Sequence, residues 1–225
     1  MKGILVSVIP VLLLAAGAPA VSAQEAPGVE AGFKMWVNDW THSVPGGESI
    51  RSDSAVLLGP AVSAHFGNGL FAEGSYLFSA SDYGFSNANT FTIDRQDVDV
   101  SVGYMIIPEF GFTAGYKNSF FNDRTNGIKD RVFGPQLGVV GRTFVDEDLS
   151  FYGKLNYLIT KFRQEDALGI LEEDSPGWIF EFGAKLRFSP QFSGALGYKY
   201  ETNQGNTTQI EDSFSGLTLG GMWSF

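Results

Sequence analysis

From Val29 to Phe225 the sequence alternates apolar and polar residues with a period of two, in one segment after another. That period sends successive side chains to opposite faces of an extended strand, so each segment has one greasy face and one polar face. Ten segments fit the pattern: Val29–Asn38, Ala55–Phe66, Leu70–Ala80, Gln96–Ile106, Phe110–Phe120, Arg131–Phe144, Leu149–Phe162, Trp178–Phe188, Phe192–Thr202 and Ser215–Phe225. In the fourth, Val98, Val100, Val102, Tyr104 and Ile106 share a face; in the tenth, Leu217, Leu219, Trp223 and Phe225 do.

The connections alternate in length. Residues 67–69, 107–109, 145–148 and 189–191 are tight turns, whereas 39–54, 81–95, 121–130, 163–177 and 203–214 are longer and polar. Short turns on one side and long loops on the other are the pattern of a bacterial outer-membrane barrel, and strands of about ten residues suit a tilted crossing of the apolar layer. The predicted fold is therefore all-β: a transmembrane antiparallel up-and-down β-barrel of ten strands, with eight as the alternative. An internal echo favours ten. Val102-Gly103-Tyr104, Pro108-Glu109-Phe110 and Gly115-Tyr116-Lys117 resemble Gly183-Ala184, Pro190-Gln191-Phe192 and Gly197-Tyr198-Lys199. Gly59-Pro60-Ala61-Val62 likewise resembles Gly134-Pro135-Gln136-Leu137. Proline removes a ladder hydrogen bond, so a bulge is expected at Pro60 and at Pro135.

Ahead of the strands stand Lys2, an apolar run from Ile4 to Ala16, and small residues ending at Ala23. That reads as a secretory signal peptide over 1–23, leaving a barrel domain over 24–225. The apolar run is too short for a spanning helix, and no later stretch approaches about 18 apolar residues. No cysteine is present, while 28 Gly and 20 Phe suit a sheet with one apolar face. Without Lys2, 14 basic residues stand against 25 acidic ones, which argues against a nucleic-acid partner.

The last strand, Leu217-Thr218-Leu219-Gly220-Gly221-Met222-Trp223-Ser224-Phe225, resembles the assembly signal of outer-membrane barrels. With the signal-like start and the hairpin pattern, the chain resembles small outer-membrane barrels of the opacity-porin and OmpA-transmembrane type. The resemblance implies an outer-membrane location, contact with outer-membrane lipid and lipopolysaccharide, and recognition by the barrel-assembly machinery through the strand ending in Phe225. It implies no cofactor and little about function.

If the aliphatic and aromatic face meets lipid, the other face lines a lumen. Its charged residues are Glu30, Lys34, Glu73, Asp97, Asp99, Lys117, Arg142, Lys154, Glu181, Lys185, Arg187, Lys199 and Glu201. The two signs nearly balance, as pairing of expensive buried charge requires. Hairpin register sets Asp99 opposite Lys117 and Glu181 opposite Lys199, so two lumen ion pairs are expected there. At the outer rim, Lys129, Arg131, Lys161 and Arg163 share the outward parity and are expected to contact lipopolysaccharide phosphate.

Catalytic residue types are sparse. His65 falls at the periplasmic end of a strand. His42 lies in the first long loop beside Ser43, with Asp39 and Asp53 near enough in sequence to complete a triad. The inward pair Asp97 and Asp99 invites comparison with the omptin proteases, but the chain is shorter and has no His two residues after an Asp. Glu172-Glu173-Asp174 is a possible weak Ca²⁺ contact and otherwise a solvated run. The reading is of a non-enzymatic barrel without metal or cofactor, its lumen largely plugged by paired charges, presenting acidic external loops to an unspecified surface partner. The alternative is a narrow, weakly selective diffusion channel, and the remote alternative a lipid- or peptide-cleaving enzyme.

Overall fold

The computed structural model describes residues 27–85, 91–167 and 169–225. The signal-like segment 1–23 lies outside the described residues. Fourteen strands follow in order: β1 (Gly28–Ser43), β2 (Ile50–Arg51), β3 (Ala55–His65), β4 (Leu70–Ser81), β5 (Tyr83–Phe85), β6 (Phe91–Ile107), β7 (Phe110–Asp123), β8 (Ile128–Phe144), β9 (Leu149–Leu158), β10 (Lys161–Asp166), β11 (Gly169–Asp174), β12 (Gly177–Arg187), β13 (Phe192–Gln204) and β14 (Glu211–Ser224). All belong to one antiparallel sheet that closes where β1 pairs with β14, from Glu30↔Ser224 to Ser43↔Glu211. β9 and β10 both pair with β8 in one register and form a single wall strand. β11 and β12 pair with β10 and β9 in turn and form the next. β2 and β5 only flank the outer end. The wall therefore has ten strands and closes on itself across the span between its two aromatic rings, the one sheet arrangement that satisfies every backbone group in lipid.

The wall reaches further on its outer side than the expected strands do. Residues 121–130 shrink to a turn at 124–127, because the Asp123 carboxylate accepts the backbone N–H groups of Thr125 and Asn126 at 2.8 and 3.1 Å. Gly127 then supplies the left-handed backbone at φ 69°. Residues 163–177 are not a loop but the β10–β11 hairpin.

The bulges expected at the two prolines are absent. Leu58↔Phe78 and Ala61↔Ser75 keep one register on either side of Pro60, and the slip lies between Val56 and Leu57. Gln136↔Leu158 and Phe133↔Lys161 likewise share one register across Pro135, whose carbonyl still accepts Ile159 N–H at 2.9 Å. Losing a donor drops one bond; it does not call for an extra residue.

The sides are sorted as in a membrane barrel. Val62, Val100, Val102, Phe112, Leu137, Phe182, Leu196 and Leu217 are exposed, whereas Arg95, Lys117, Gln136, Asn156 and Glu201 are buried inside. Tyr76, Phe78, Phe120, Tyr157 and Trp178 ring the outer end of the exposed band; Phe151, Phe188, Phe192, Trp223 and Phe225 ring the inner end.

Candidate functional site

The interior is layered along the barrel axis. Midway lies a charged layer centred on Arg95, whose side chain is fully buried. Its Nε donates to Asp97 from β6 and its NH2 donates across the lumen to Glu201 from β13, both at 2.8 Å. The guanidinium lies over Phe214, Phe121 and Trp36 at 4.0, 5.0 and 5.1 Å. Lys117 approaches Glu201 at 3.1 Å and Asp97 at 3.7 Å. Lys199 approaches Glu201 at 3.1 Å and lies over the Trp36 ring at 4.1 Å. Three cations thus surround two carboxylates, and ring faces take the surplus charge.

Above this layer sits an aromatic lid of Trp40, Tyr83, Phe85, Phe121 and Phe214, with ring centroids 5.2 Å apart for Trp40–Phe85 and for Trp40–Phe214. Tyr83 donates its hydroxyl to Asn38 Oδ1 at 2.6 Å, which leaves that buried group satisfied. Below the charged layer, Asp99, Gln136, Asn156 and Thr113 form a chain of hydrogen bonds. Further in, a cavity of about 300 Å³ is lined by ion pairs that span the lumen: Lys34–Glu181 and Lys185–Glu30 at 2.8 Å, and Lys154–Glu73 at 3.0 Å.

Outside the lid, at the cell-surface end, lies a vestibule of about 370 Å³. His42 Nδ1 lies 2.7 Å from Asp212 Oδ1, and Trp40 Nε1 donates to the same oxygen at 2.8 Å. The hydrogen bond to Asp212 pushes the His42 pKa up. Asp130 faces them from the opposite wall; burial, reinforced by the charges of Asp212 and Asp123, pushes its carboxyl up to about 6.

The structure sorts the expected site residues differently from the sequence. Asp99 and Lys117 are opposed in register, as are Glu181 and Lys199. Their ionic contacts nevertheless go elsewhere: Lys117 and Lys199 to Glu201, Glu181 to Lys34, while Asp99 accepts a hydrogen bond from Gln136. A lysine stem is long against a narrow lumen, so the ammonium reaches acids on other strands. Ser43 bonds Ser49 and sits on the face opposite His42, as adjacent strand residues must; Asp39 binds Arg51 and Ser54. The triad therefore does not form. Glu172 pairs with Lys161 outside while Glu173 turns inward to Thr207 and Thr208, so the acidic run shares no common point for Ca²⁺. His65 packs on Phe71 at the inner end.

At the outer rim Arg131 and Arg163 face each other directly across β8 and β10, and Lys129 faces Glu165. Arg131 lies over Phe120 and Phe133; Arg163 bonds Glu165 at 2.6 Å and Lys161 bonds Glu172 at 3.0 Å. Lys129, Arg131 and Arg163 line an outward cleft of about 560 Å³ with Phe120, Asp94 and Glu165.

No protein-family model and no curated protein sequence matches the chain. Solved structures do. The outer-membrane protease OmpT of Escherichia coli is 12% identical, over 91% of this chain and all of that one, with a TM-score of 0.60. The translocator domain of the autotransporter NalP from Neisseria meningitidis is 14% identical, over 91% of each chain, with a TM-score of 0.56. Neisserial surface protein A is 11% identical, over 89% of this chain and all of that one, with a TM-score of 0.48. The fold is that of a bacterial outer-membrane barrel.

Two predictions follow from these layers. Arg95→Leu removes the guanidinium that hydrogen-bonds both Asp97 and Glu201, leaving them to Lys117 and Lys199 alone, and is expected to cost about 3–5 kcal/mol in a reversible unfolding titration. Arg95→Lys recovers little of that, because an ammonium has neither the fork nor the stacking plane. At the outer end the folded pKa of both His42 and Asp130 lies above its ordinary value. Protons therefore bind the folded state more tightly, and the stability they add is lost as pH rises through these raised values. Thermal unfolding at matched ionic strength should thus occur at a higher temperature at pH 5.5 than at pH 8, a window in which ordinary carboxylates stay charged. Asp212→Asn should shrink the difference; an unchanged difference would remove the pair from the account.

Proposed function

We propose that this protein is a closed surface barrel that acts through its outer rim and acidic external loops rather than as an open pore. The observation that carries the reading is the Arg95 layer under its aromatic lid. Trp36, Tyr83, Arg95 and Lys117 have no exposed area, and Phe214 and Glu201 have 1%. Six strands, β1, β5, β6, β7, β13 and β14, meet there, so opening a path means separating buried charges. Ser43 points away from His42, which supports a non-catalytic reading of that histidine. The second reading, a narrow diffusion channel, is favoured by the inner cavity, whose nearly balanced cations and acids would give weak ion selectivity.

The rim cations are the proposed lipopolysaccharide contact. Directly opposed like charges such as Arg131 and Arg163 disfavour a sheet, a cost that Glu165 relieves on one side and that an anion between the two would relieve further. Guanidinium groups beside an aromatic girdle at the lipid boundary suit the phosphates of an outer-leaflet glycolipid. We also propose that β14, followed directly by the exposed Phe225, is the strand read by the barrel-assembly machinery.

Planar-bilayer recording tests the closed reading. The wild-type protein should give conductance well below that of a general porin, and Trp36→Ala with Arg95→Ala should raise it. Large, stable wild-type openings would instead establish the channel. For the rim, changing Lys129, Arg131, Lys161 and Arg163 together to Gln should weaken lipopolysaccharide binding while leaving folding into plain phospholipid intact. Equal affinity of variant and parent for lipid A would reduce the four to neutralising partners of nearby acids.

A further inference from the structure

The outer vestibule has a composition unlike the rest of the interior. Its walls are apolar, with Trp40, Phe85, Ile93, Ile128, Val132 and Phe162 contributing. Four acids from four strands face into it: Asp123 from β7, Asp130 from β8, Glu173 from β11 and Asp212 from β14. His42 is the one basic side chain among its described lining residues, and no Lys or Arg stands there. Lys129, Arg131 and Arg163 are close in sequence but, by strand alternation, project outward. Arg95 lies beneath the lid and is already matched by Asp97 and Glu201.

Most of these acids have internal work. Asp123 holds its own turn, Glu173 accepts the Thr207 and Thr208 N–H groups, and Asp212 anchors His42 and Trp40. Two acceptors are left over. Asp130 Oδ1 is buried without a hydrogen-bond partner among the described residues, and so is the side-chain oxygen of Asn203, a residue only 5% exposed. Asn203 lies on β13 and reaches the same vestibule. Unmet buried acceptors are costly, and both would be satisfied by N–H donors. A simple inorganic cation would leave the apolar walls bare; a neutral hydrocarbon would leave the acceptors unmet; an anion would meet four carboxylates.

We infer that this vestibule is a binding site for a small organic cation with an apolar body, the cationic head donating to Asp130 and Asn203 and the body lying against Trp40 and its neighbours. A planar head with several N–H donors can bond two acceptors at once, and ring faces at the floor add attraction for positive charge. The inference stands whether or not the lumen conducts, because the lid separates the vestibule from the inner cavity. It also carries a pH dependence. The groups facing Asp130 are Asp123 from β7, Gln164 from β10, Asp212 from β14 and His42 from β1. Acidification neutralises Asp130 and charges His42, and both changes disfavour a cation.

The probe is benzamidinium, compared with benzamide, its uncharged analogue of the same shape. Calorimetric titration of the refolded barrel in detergent at pH 7.5 should show benzamidinium binding at least tenfold more tightly than benzamide. Binding should weaken severalfold at pH 5.5. Asp130→Asn and Asn203→Leu should each reduce benzamidinium affinity about tenfold, with folding checked by the heat-dependent gel shift of the intact barrel. If Asp130→Asn does not fold, Asn203→Leu alone carries the test, since it removes an unmet acceptor and no existing bond. No benzamidinium binding at millimolar concentration, equal binding of benzamide, or affinity indifferent to the substitution in every folded variant would overturn the assignment.

Discussion

Inside a bilayer no water is at hand for an unpaired backbone N–H or C=O, and every other feature of this structure follows from that constraint. A sheet can satisfy it only by closing on itself, as β1 does with β14. Closure converts the period of two into a strict separation of inside from outside. Once Val100 and Val102 face lipid, Ser101 and Asp99 have to face the lumen. The tolerance of Pro60 and Pro135 shows how strong the demand for register is. Both residues forgo a donor, yet the strands on either side continue in step, because a slip of one residue would turn a whole face of Val, Leu and Phe inward.

The same separation creates the problem that the lumen solves. Polar parity delivers charged side chains into a confined space, and each must find an opposite charge or a ring face. Neighbouring strands offer partners whose Cβ atoms lie about 5 Å away, which favours hairpin-local pairs on paper. A closed wall also brings β6 opposite β13 and β1 towards β12. The observed contacts use those long connections: Arg95 to Glu201, Lys34 to Glu181, Lys185 to Glu30. Cross-lumen bonds tie together strands that the backbone ladder does not join, so they brace the barrel against flattening as well as neutralising charge.

Architecture was legible in the sequence because alternation and turn spacing are local. The ten strands, the facing of Asp99 against Lys117 and of Glu181 against Lys199, and the tight turns can all be read within a few dozen residues. The site was less legible for two physical reasons. Apolar residues give out before the strands do, so apolar alternation starts the fourth strand at Gln96 and leaves out Arg95, the group at the centre of the plug, although Arg95, Asp97 and Asp99 share one parity. Asp123, Asp130, His42 and Asp212 lie in polar segments that look like loops for the same reason. Parity continues through them too, since Asp123 follows Lys117, Ser119 and Phe121, and Asp130 precedes Val132. What no local reading could supply is the meeting of β1, β8 and β14 at one vestibule, which exists only once the wall is closed.

The positions of the two charge clusters along the axis separate two kinds of behaviour in one barrel. Beneath the lid, acids and bases are nearly matched, the Arg95 side chain is fully buried, and a change of charge state is opposed by several partners at once. Above the lid the balance is broken in favour of acids, and His42 and Asp130, whose pKa values are both pushed up, are found there. An aromatic floor between the two lets the outer chamber carry negative charge without drawing on the inner cations, because Arg95 presents its edges to Asp97 and Glu201 and its faces to the surrounding rings. A solute attracted from outside would therefore meet complementary charge and apolar surface and then a closed floor. That combination fits the proposed capture at the outer end better than passage through the wall.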